Sequence, residues 1–591
     1  MGSRAFNSQR LEQNLQVLAS VSPEVAGWLG EESHHLTLPP PGAWPRPCLD
    51  NSHRLCCPKG DEGGVTLVLG GGLLDEVVDL LHTTPAGRQV FVLEPRAPLL
   101  LSALGRHDLT APLCEEELVL LAPEEGALEL GLSRNPQLAL TPRLEMLHLH
   151  LGPGDPQTHA AQARLYRLLG HARQRREVSL NWEPVAGANL LANLNLAALM
   201  GGARRLFGCL AGRPAILAAA GPGLGPALEK LAGRLAGAVF FSTAKALPQV
   251  LAAGILPSAA GLAKPTPGFP HPLDFPELAH IPLVAEETAH AQTLRSYPGP
   301  RVLTLGARGT ALGPFAKLAG AFTPQTHALC RLAEMAAFAG CEPLILVGSE
   351  LSDPEGELVM PAMDGGSIKA SLQHAAAAGA LARVLARWEV GALCVSRKGV
   401  AIPGVRAIRL EELTPHLGGP GQPAAVPPFG EEWLTAPELM DYAEGLSRAA
   451  LAATRLWQRA AAPLADEPPP GDPGAKSWLA AADQLYMALA DQSAADTMFS
   501  AFLDGCLVRS FHRRYSLACR GRQGVIRVED ASRELLLCLR EMSSQAGILS
   551  QGLWEAAGRF RSLAQAMEDR DQELVAGFAQ SLGREQLTPP W

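Results

Sequence analysis

Short runs of consecutive apolar residues, each ended by glycine, proline or a charge, alternate along most of this chain with longer stretches whose apolar residues return every three or four positions. The runs at 65–69 (VTLVL) and 89–93 (QVFVL) are too short for helices and read as buried strands. Gly70, Gly71 and Gly72 follow the first, a helix is predicted over 74–81, and Glu94 closes the second. Glycines after one strand and an acid after the next make a Rossmann-like βαβ pattern, although GGGLLDE does not satisfy G-x-G-x-x-G. A unit kept for packing alone fits that pattern at least as well as one that holds a cofactor. Upstream, Leu11, Leu15 and Leu18 share one face of a helix predicted over 5–32 and punctuated by Pro23. Alternation over 144–151 predicts the strand that ends this region before Gly152, Pro153 and Gly154.

The stretch 214–228, PAILAAAGPGLGPAL, has the pattern of a parallel strand, a tight turn and a helix N-terminus, where free amide groups attract anions. Further strands are expected at 238–242, within GILPSAAGLAK, and at 282–285, 301–305, 343–347 and 391–395. Helices are expected at 227–235, 247–253 and 325–339, with a helical connection over 157–206 leading in. Such β/α alternation implies a mostly parallel sheet covered on both faces. GGPGQPAAVPPFG, at 418–430, ends it. Beyond, 436–462 and 475–583 carry Ala, Leu, Arg and Glu at helical spacing, split by ADEPPPGDPGA. The expected fold is therefore α/β: an N-terminal Rossmann-like domain over 1–155, a central mostly parallel α/β domain over 156–417 and a C-terminal α-helical domain over 431–591.

With 591 residues the chain exceeds one ordinary core, so several units are expected. A net charge of −9 and the lack of long basic runs interleaved with aromatics argue against a dedicated nucleic-acid binder. No apolar stretch approaches the roughly 20 residues of a membrane span, and MGSRAFNSQRLEQNL lacks a signal-peptide core. The 11 cysteines are scattered and often sit in apolar runs, as reduced thiols do. A cytoplasmic protein with neither nucleic-acid nor membrane partners is the expectation.

Candidate chemistry gathers at strand ends. Gly221, Pro222 and Gly223 read equally as a ligand-free tight turn or as a phosphate seat. Thr326, at the start of the 325–339 helix, can cap it or touch a ligand, and His327 beside it is a candidate base. Gly348, Ser349 and Glu350 close the 343–347 strand, and Glu350 is the best-placed acid for a base or a ribose contact. Cys48, His53, Cys56 and Cys57 lack the paired spacing of a zinc site. His148 and His150 share a strand face. Arg509, His512, Arg513, Arg514, Arg520, Arg522 and Arg527 read as a solvated face or a dock for an acidic partner.

Five segments in one order, LLANL at 190–194, AAGPGL at 219–224, AAGILPS at 252–258, THALCRLAEMAAFAGCEPLILVGSEL at 326–351 and SRKGVAIPG at 396–404, resemble the motility-associated factor (Maf) glycosyltransferases, whose core is related to MptE-type pterin diphosphokinases. VLGGGLLDEVVDLL and VFVLEP fit the preceding domain of that family. The resemblance implies a cytoplasmic transferase that moves a nonulosonic acid from a CMP-activated donor to Ser or Thr of flagellin. It implies a donor site at Gly221, Pro222, Gly223, Thr326, Gly348, Ser349, Ser396 and Gly399, with Glu350 and His327 as catalytic candidates. Where the family usually carries acids, Ala244, Ser258 and Lys264 stand here, and Gly-Ser-Glu replaces the common Gly-Gln-Asp. Hard cations need oxygen ligands, so no cofactor is expected, with a divalent cation as the alternative that the missing acids disfavour. The alternatives are a non-catalytic relative that binds a nucleotide or a protein, and, fitting the missing acids worst, a pyrophosphokinase using Mg²⁺ and ATP.

Overall fold

The computed structural model describes residues 6–33, 65–83, 89–135, 137–140, 144–149, 156–181, 183–194, 196, 201–263, 266–270, 274–306, 321–322, 327–356, 358–396, 398–417, 419–426, 434–465, 477–478, 481–482, 484 and 528–581. They fall into two units, one taking its described residues from 1–176 and 528–534 and the other from 177–508 and 535–591.

In the first unit, β1 (Val65–Leu69), β2 (Gln89–Leu93), β3 (Leu118–Leu121) and β4 (Leu144–His148) form a parallel sheet in the order β3-β2-β1-β4. β1 to β3 are buried along their whole length, which is why their sequences run apolar without alternation. β3 follows three glutamates, and the Ala97–Arg106 helix fills the link from β2; neither is among the elements the sequence predicts. The helix expected over 5–32 is two, Ser8–Val21 and Pro23–Ser33, because the chain leaves helical geometry at Ser22 ahead of proline. Asn14 is wholly buried and anchors the first of them: its amide donates to the Leu104 and His107 carbonyls at 2.7 and 2.9 Å and accepts from the Leu109 N–H at 3.1 Å.

The second unit carries β5 (Gly201–Gly202), β6 (Ala215–Ala218), β7 (Val239–Thr243), β8 (Ala259–Leu262), β9 (Leu283–Glu286), β10 (Arg301–Gly306), β11 (Ala321–Phe322), β12 (Leu344–Val347), β13 (Leu358–Pro361), β14 (Ser367–Ala370), β15 (Ala392–Cys394) and β16 (Val405–Ala407). Ten of these form one parallel sheet in the order β11-β10-β9-β8-β7-β6-β12-β15-β16, with β5 also on β10. β13 and β14 make a separate antiparallel hairpin, and it, the Leu372–Trp388 helix and β16 are likewise unpredicted. The expected connection over 157–206 resolves into helices Pro156–Asn181 and Glu183–Leu194, with β5 before residue 206.

One core joins Ile216, Phe240 and Ile345 of the sheet to Leu224 and Leu228 of the helix after β6. Another joins Leu283, Tyr297 and Leu303 to Leu439, Tyr442 and Phe560 of the helices Ala436–Ala465 and Val528–Glu568. Both cores lie on one face, because strand pairing sets Ile345, Ile216, Phe240, Leu283 and Leu303 on the same side; the helix Ala328–Phe338 covers the other face, with its Leu332 against Gly261. The fold is α/β with C-terminal helices, as expected. Among the described residues no helix is long and apolar enough to cross a membrane.

Candidate active site at the sheet's switch point

Strands added in chain order after β6 run outward to one side, whereas β12, β15 and β16 extend the other. The order therefore reverses between β6 and β12, and in such sheets the crevice opens at the carboxyl ends of the two strands flanking the reversal. Gly221–Gly223 follow β6 and Gly348–Glu350 follow β12, so the two sequence candidates meet there.

Their pairing continues past the strands. The Ala219 N–H donates to the Val347 carbonyl at 2.9 Å and the Gly221 N–H to the Gly348 carbonyl at 2.8 Å. Gly221 therefore does not offer its amide to a phosphate as the sequence suggested; it is already used in the ladder. Gly348 has φ +63, and a side chain there would run into the Ala219 carbonyl and the Leu224 Cβ. The chain then bends inward, and Leu351 is held at φ +49.

The consequence is the placement of Glu350. It is 5% exposed, and a Cβ on Gly221 or Gly223 would fall inside its carboxylate. Neither carboxylate oxygen has a hydrogen-bond partner among the described residues. Gly223 is the N-cap of the Leu224–Leu231 helix and gives no side-chain cap, so the carboxylate lies at that helix's positive end. Gly399 covers the other side: its Cβ would stand 3.0 Å from Glu350 Cα, and the Val400 N–H donates to the Glu350 carbonyl at 2.8 Å. Ser349 is buried with its hydroxyl 3.9 Å from Cys394 Sγ, whose thiol burial pushes up, while Ser396 is half-buried. Pro222 is exposed on the rim.

Residues 188–356 match the family model described as 6-hydroxymethylpterin diphosphokinase MptE-like. The chain carries an MptE-like domain. A solved structure, the MAf glycosyltransferase from Magnetospirillum magneticum AMB-1, aligns with 97% of this chain and 100% of its own at 15% identity and a TM-score of 0.43. No curated protein matches.

The MptE-like match contains the glycine elbow Gly221–Gly223 and Glu350 and stops before the hairpin, so Ser396 and Gly399 come from chain outside it. Also outside it is a group the sequence did not single out. Ser371 caps the Leu372–Trp388 helix, and its hydroxyl lies 3.0 Å from His374 Nδ1. This helix leads down to the start of β15, so its first turn stands at the carboxyl edge. Burial lowers the His374 imidazole below its ordinary value; Asp353, after β12, pulls it upward and Lys245, after β7, pushes it down. A Ser-x-x-His at a helix start was the available signal.

The other candidates separate. His327 is the N-cap of the Ala328–Phe338 helix and accepts from the Leu329 N–H at 3.3 Å through Nδ1. Thr326, Lys264, His150, the cysteines and histidine of 48–57 and the basic residues of 509–527 lie outside the described residues. Ser258 precedes β8, at the sheet's amino edge, where it accepts from the Phe240 N–H and donates to the Ala424 carbonyl. An acid at 258 would thus sit away from the crevice. Ala244, by contrast, follows β7 directly. The acids that sequence reading overlooked are at the end of β9: Glu286 pairs with Arg331, which also meets Glu334, and Glu334 meets Arg387. Among the described residues no three His, Cys, Asp or Glu side chains converge as metal ligands do.

The glycine turn of the first unit is closed in a parallel way. Glu94 is 1% exposed and accepts from the Gly72 N–H at 2.6 Å and from Arg96 Nε and Nη2 at 2.6 and 2.8 Å. The acid that would contact a ribose in a dinucleotide-binding unit here serves its own turn. His148 likewise lies against Gln162 and Tyr166, each 3.2 Å from a ring nitrogen.

Proposed function

We propose that this protein is a cytoplasmic Maf-like glycosyltransferase, transferring a nonulosonic acid from its CMP-activated form to a Ser or Thr hydroxyl of flagellin. The observation that carries the reading is the MptE-like match over 188–356, which spans both strand ends at the sheet's reversal point. The order of the segments that resemble the Maf family, continuing through SRKGVAIPG at 396–404, supports it.

In this reaction the bond from the anomeric carbon to the CMP phosphate oxygen breaks, the acceptor oxygen bonds to that carbon, CMP leaves and the hydroxyl proton passes to a base. The donor seat is the elbow with Gly348, Ser349, Ser396 and Gly399, and Thr326 belongs to it by resemblance. Glu350 faces inward and His327 caps a helix, so we assign the base to His374, which burial keeps neutral and therefore able to accept a proton.

The test is incubation of the full chain with CMP-nonulosonate and flagellin, read by intact-protein mass. Flagellin gaining one nonulosonate per modified residue, dependent on donor, is the expected result. A specific observation favours a second reading, a non-catalytic nucleotide- or protein-binding relative: the Gly221 amide is engaged and a carboxylate fills the elbow. CMP binding without CMP release or mass gain would establish that reading instead.

A further inference from the structure

We propose that Glu350 is a gate: its carboxylate rests in the seat that a donor phosphate takes, and it must rotate out before an anion binds. The inference rests on the reading of the elbow as a phosphate seat.

Three observations carry it. The first is fit. The Glu350 carboxylate fills the space over both glycines: a methyl on Gly223 would overlap that carboxylate alone, and one on Gly221 would overlap it and the Gly348 carbonyl. The second is the absence of compensation. A carboxylate taken out of water with no hydrogen bond loses most of its solvation, and such groups are ordinarily paired. Glu350 is 5% exposed and both its oxygens are buried without a partner among the described residues. What it does have is the uncapped positive end of the Leu224–Leu231 helix, the same feature that would attract a ligand's phosphate. The third is that the backbone of Glu350 is tied by a hydrogen bond whereas its carboxylate oxygens, among the described residues, are not. The backbone on either side is fixed by the left-handed Gly348, the left-handed Leu351 and the hydrogen bond from Val400 N–H to the Glu350 carbonyl.

An internal carboxylate and a phosphate cannot share one seat, because both steric overlap and like charge oppose it. Binding of a phosphorylated nucleotide therefore includes the free energy of moving Glu350 out, and removing the carboxylate should reveal the intrinsic affinity of the elbow. The rotated carboxylate would then lie beside the nucleotide. In the closed form it keeps small anions out of the crevice.

The experiment is calorimetric titration of the full-length wild type, Glu350→Ala and Glu350→Gln with CMP, and with cytidine as the probe lacking phosphate. Far-UV circular dichroism checks that each variant is folded, and the near-isosteric Glu350→Gln serves if Glu350→Ala is not. The expected result is CMP affinity at least tenfold higher in Glu350→Ala, a smaller gain in Glu350→Gln, and no change for cytidine. Unchanged or weaker CMP binding in folded variants, with measurable binding by the wild type, overturns the gate and leaves the phosphate seat standing. Folded variants that bind CMP no better than a wild type that does not bind it overturn both.

Discussion

Arg331 donates twice to a single oxygen of Glu286, from Nε at 3.0 Å and Nη2 at 2.9 Å, while its third nitrogen reaches Glu334 at 3.3 Å. The guanidinium is wholly buried and lies 5.3 Å from the centre of the Phe322 ring. Charge placed this deep is tolerated only while paired, and removal of one partner leaves an uncompensated ion. Glu286→Ala should therefore destabilise the protein by about 3 kcal/mol, read as a lowered urea midpoint. A change below about 1 kcal/mol would show that Glu334 alone suffices.

Gly348 and Gly233 both have positive φ, at +63 and +74, but only Gly348 is surrounded. Alanine at Gly233 should cost about 1 kcal/mol, the ordinary left-handed penalty for a side chain. Alanine at Gly348 should cost at least about 3 kcal/mol, because it also overlaps a carbonyl and the Leu224 side chain. Thermal melts of the two variants check the difference, and equal losses would refute the close packing.

His374 sets a pH dependence whose sign follows from burial. Its folded-state proton affinity is below that of the unfolded chain, so stability from the neutral ring is complete above about pH 6.5 and declines as pH falls through the lowered value. Removing Asp353 as Asp353→Asn should lower the ring's apparent pKa further, and Lys245→Met should raise it. Proton NMR titration of the imidazole reads both directions. Opposite signs would detach those two groups from the histidine.

Glu94 makes the first unit a poor dinucleotide site, since its carboxylate already satisfies Gly72 and Arg96. Glu94→Ala should lower stability by about 2–4 kcal/mol through the orphaned arginine and amide. Millimolar NAD should leave the melting temperature of the wild type unchanged. A rise of several degrees would mean that the turn opens to ligand after all.

How much of this was readable in the chain depended on what each feature rests on. β1 and β2 are continuous apolar runs set off by glycines and a charge, and both were predicted residue for residue. β3 has only Leu-Val-Leu-Leu after three glutamates, too short a run to stand out. Ten of the seventeen residues of the Leu372–Trp388 helix are alanine or leucine, a run of four alanines among them, and they fall on several faces, so its period is blurred. At the site, the sequence brought Gly221, Gly223 and Glu350 to the same crevice because each ends a strand. It did not carry the direction of the Glu350 side chain. That depends on left-handed backbone at Gly348 and Leu351, and no hydrophobic pattern records the turn of a chain at a leucine. His374 stayed hidden for a related reason: its neighbours Asp353 and Lys245 are distant in sequence and meet only through strand order.

The apolar face shared by Leu283, Tyr297 and Leu303 with Tyr442 and Phe560 bears on how this protein can be dissected. A fragment ending at the proline-rich connection near residue 430 would display that face to water and should precipitate rather than fold. Expression trials aimed at the crevice must therefore carry the distal helices along.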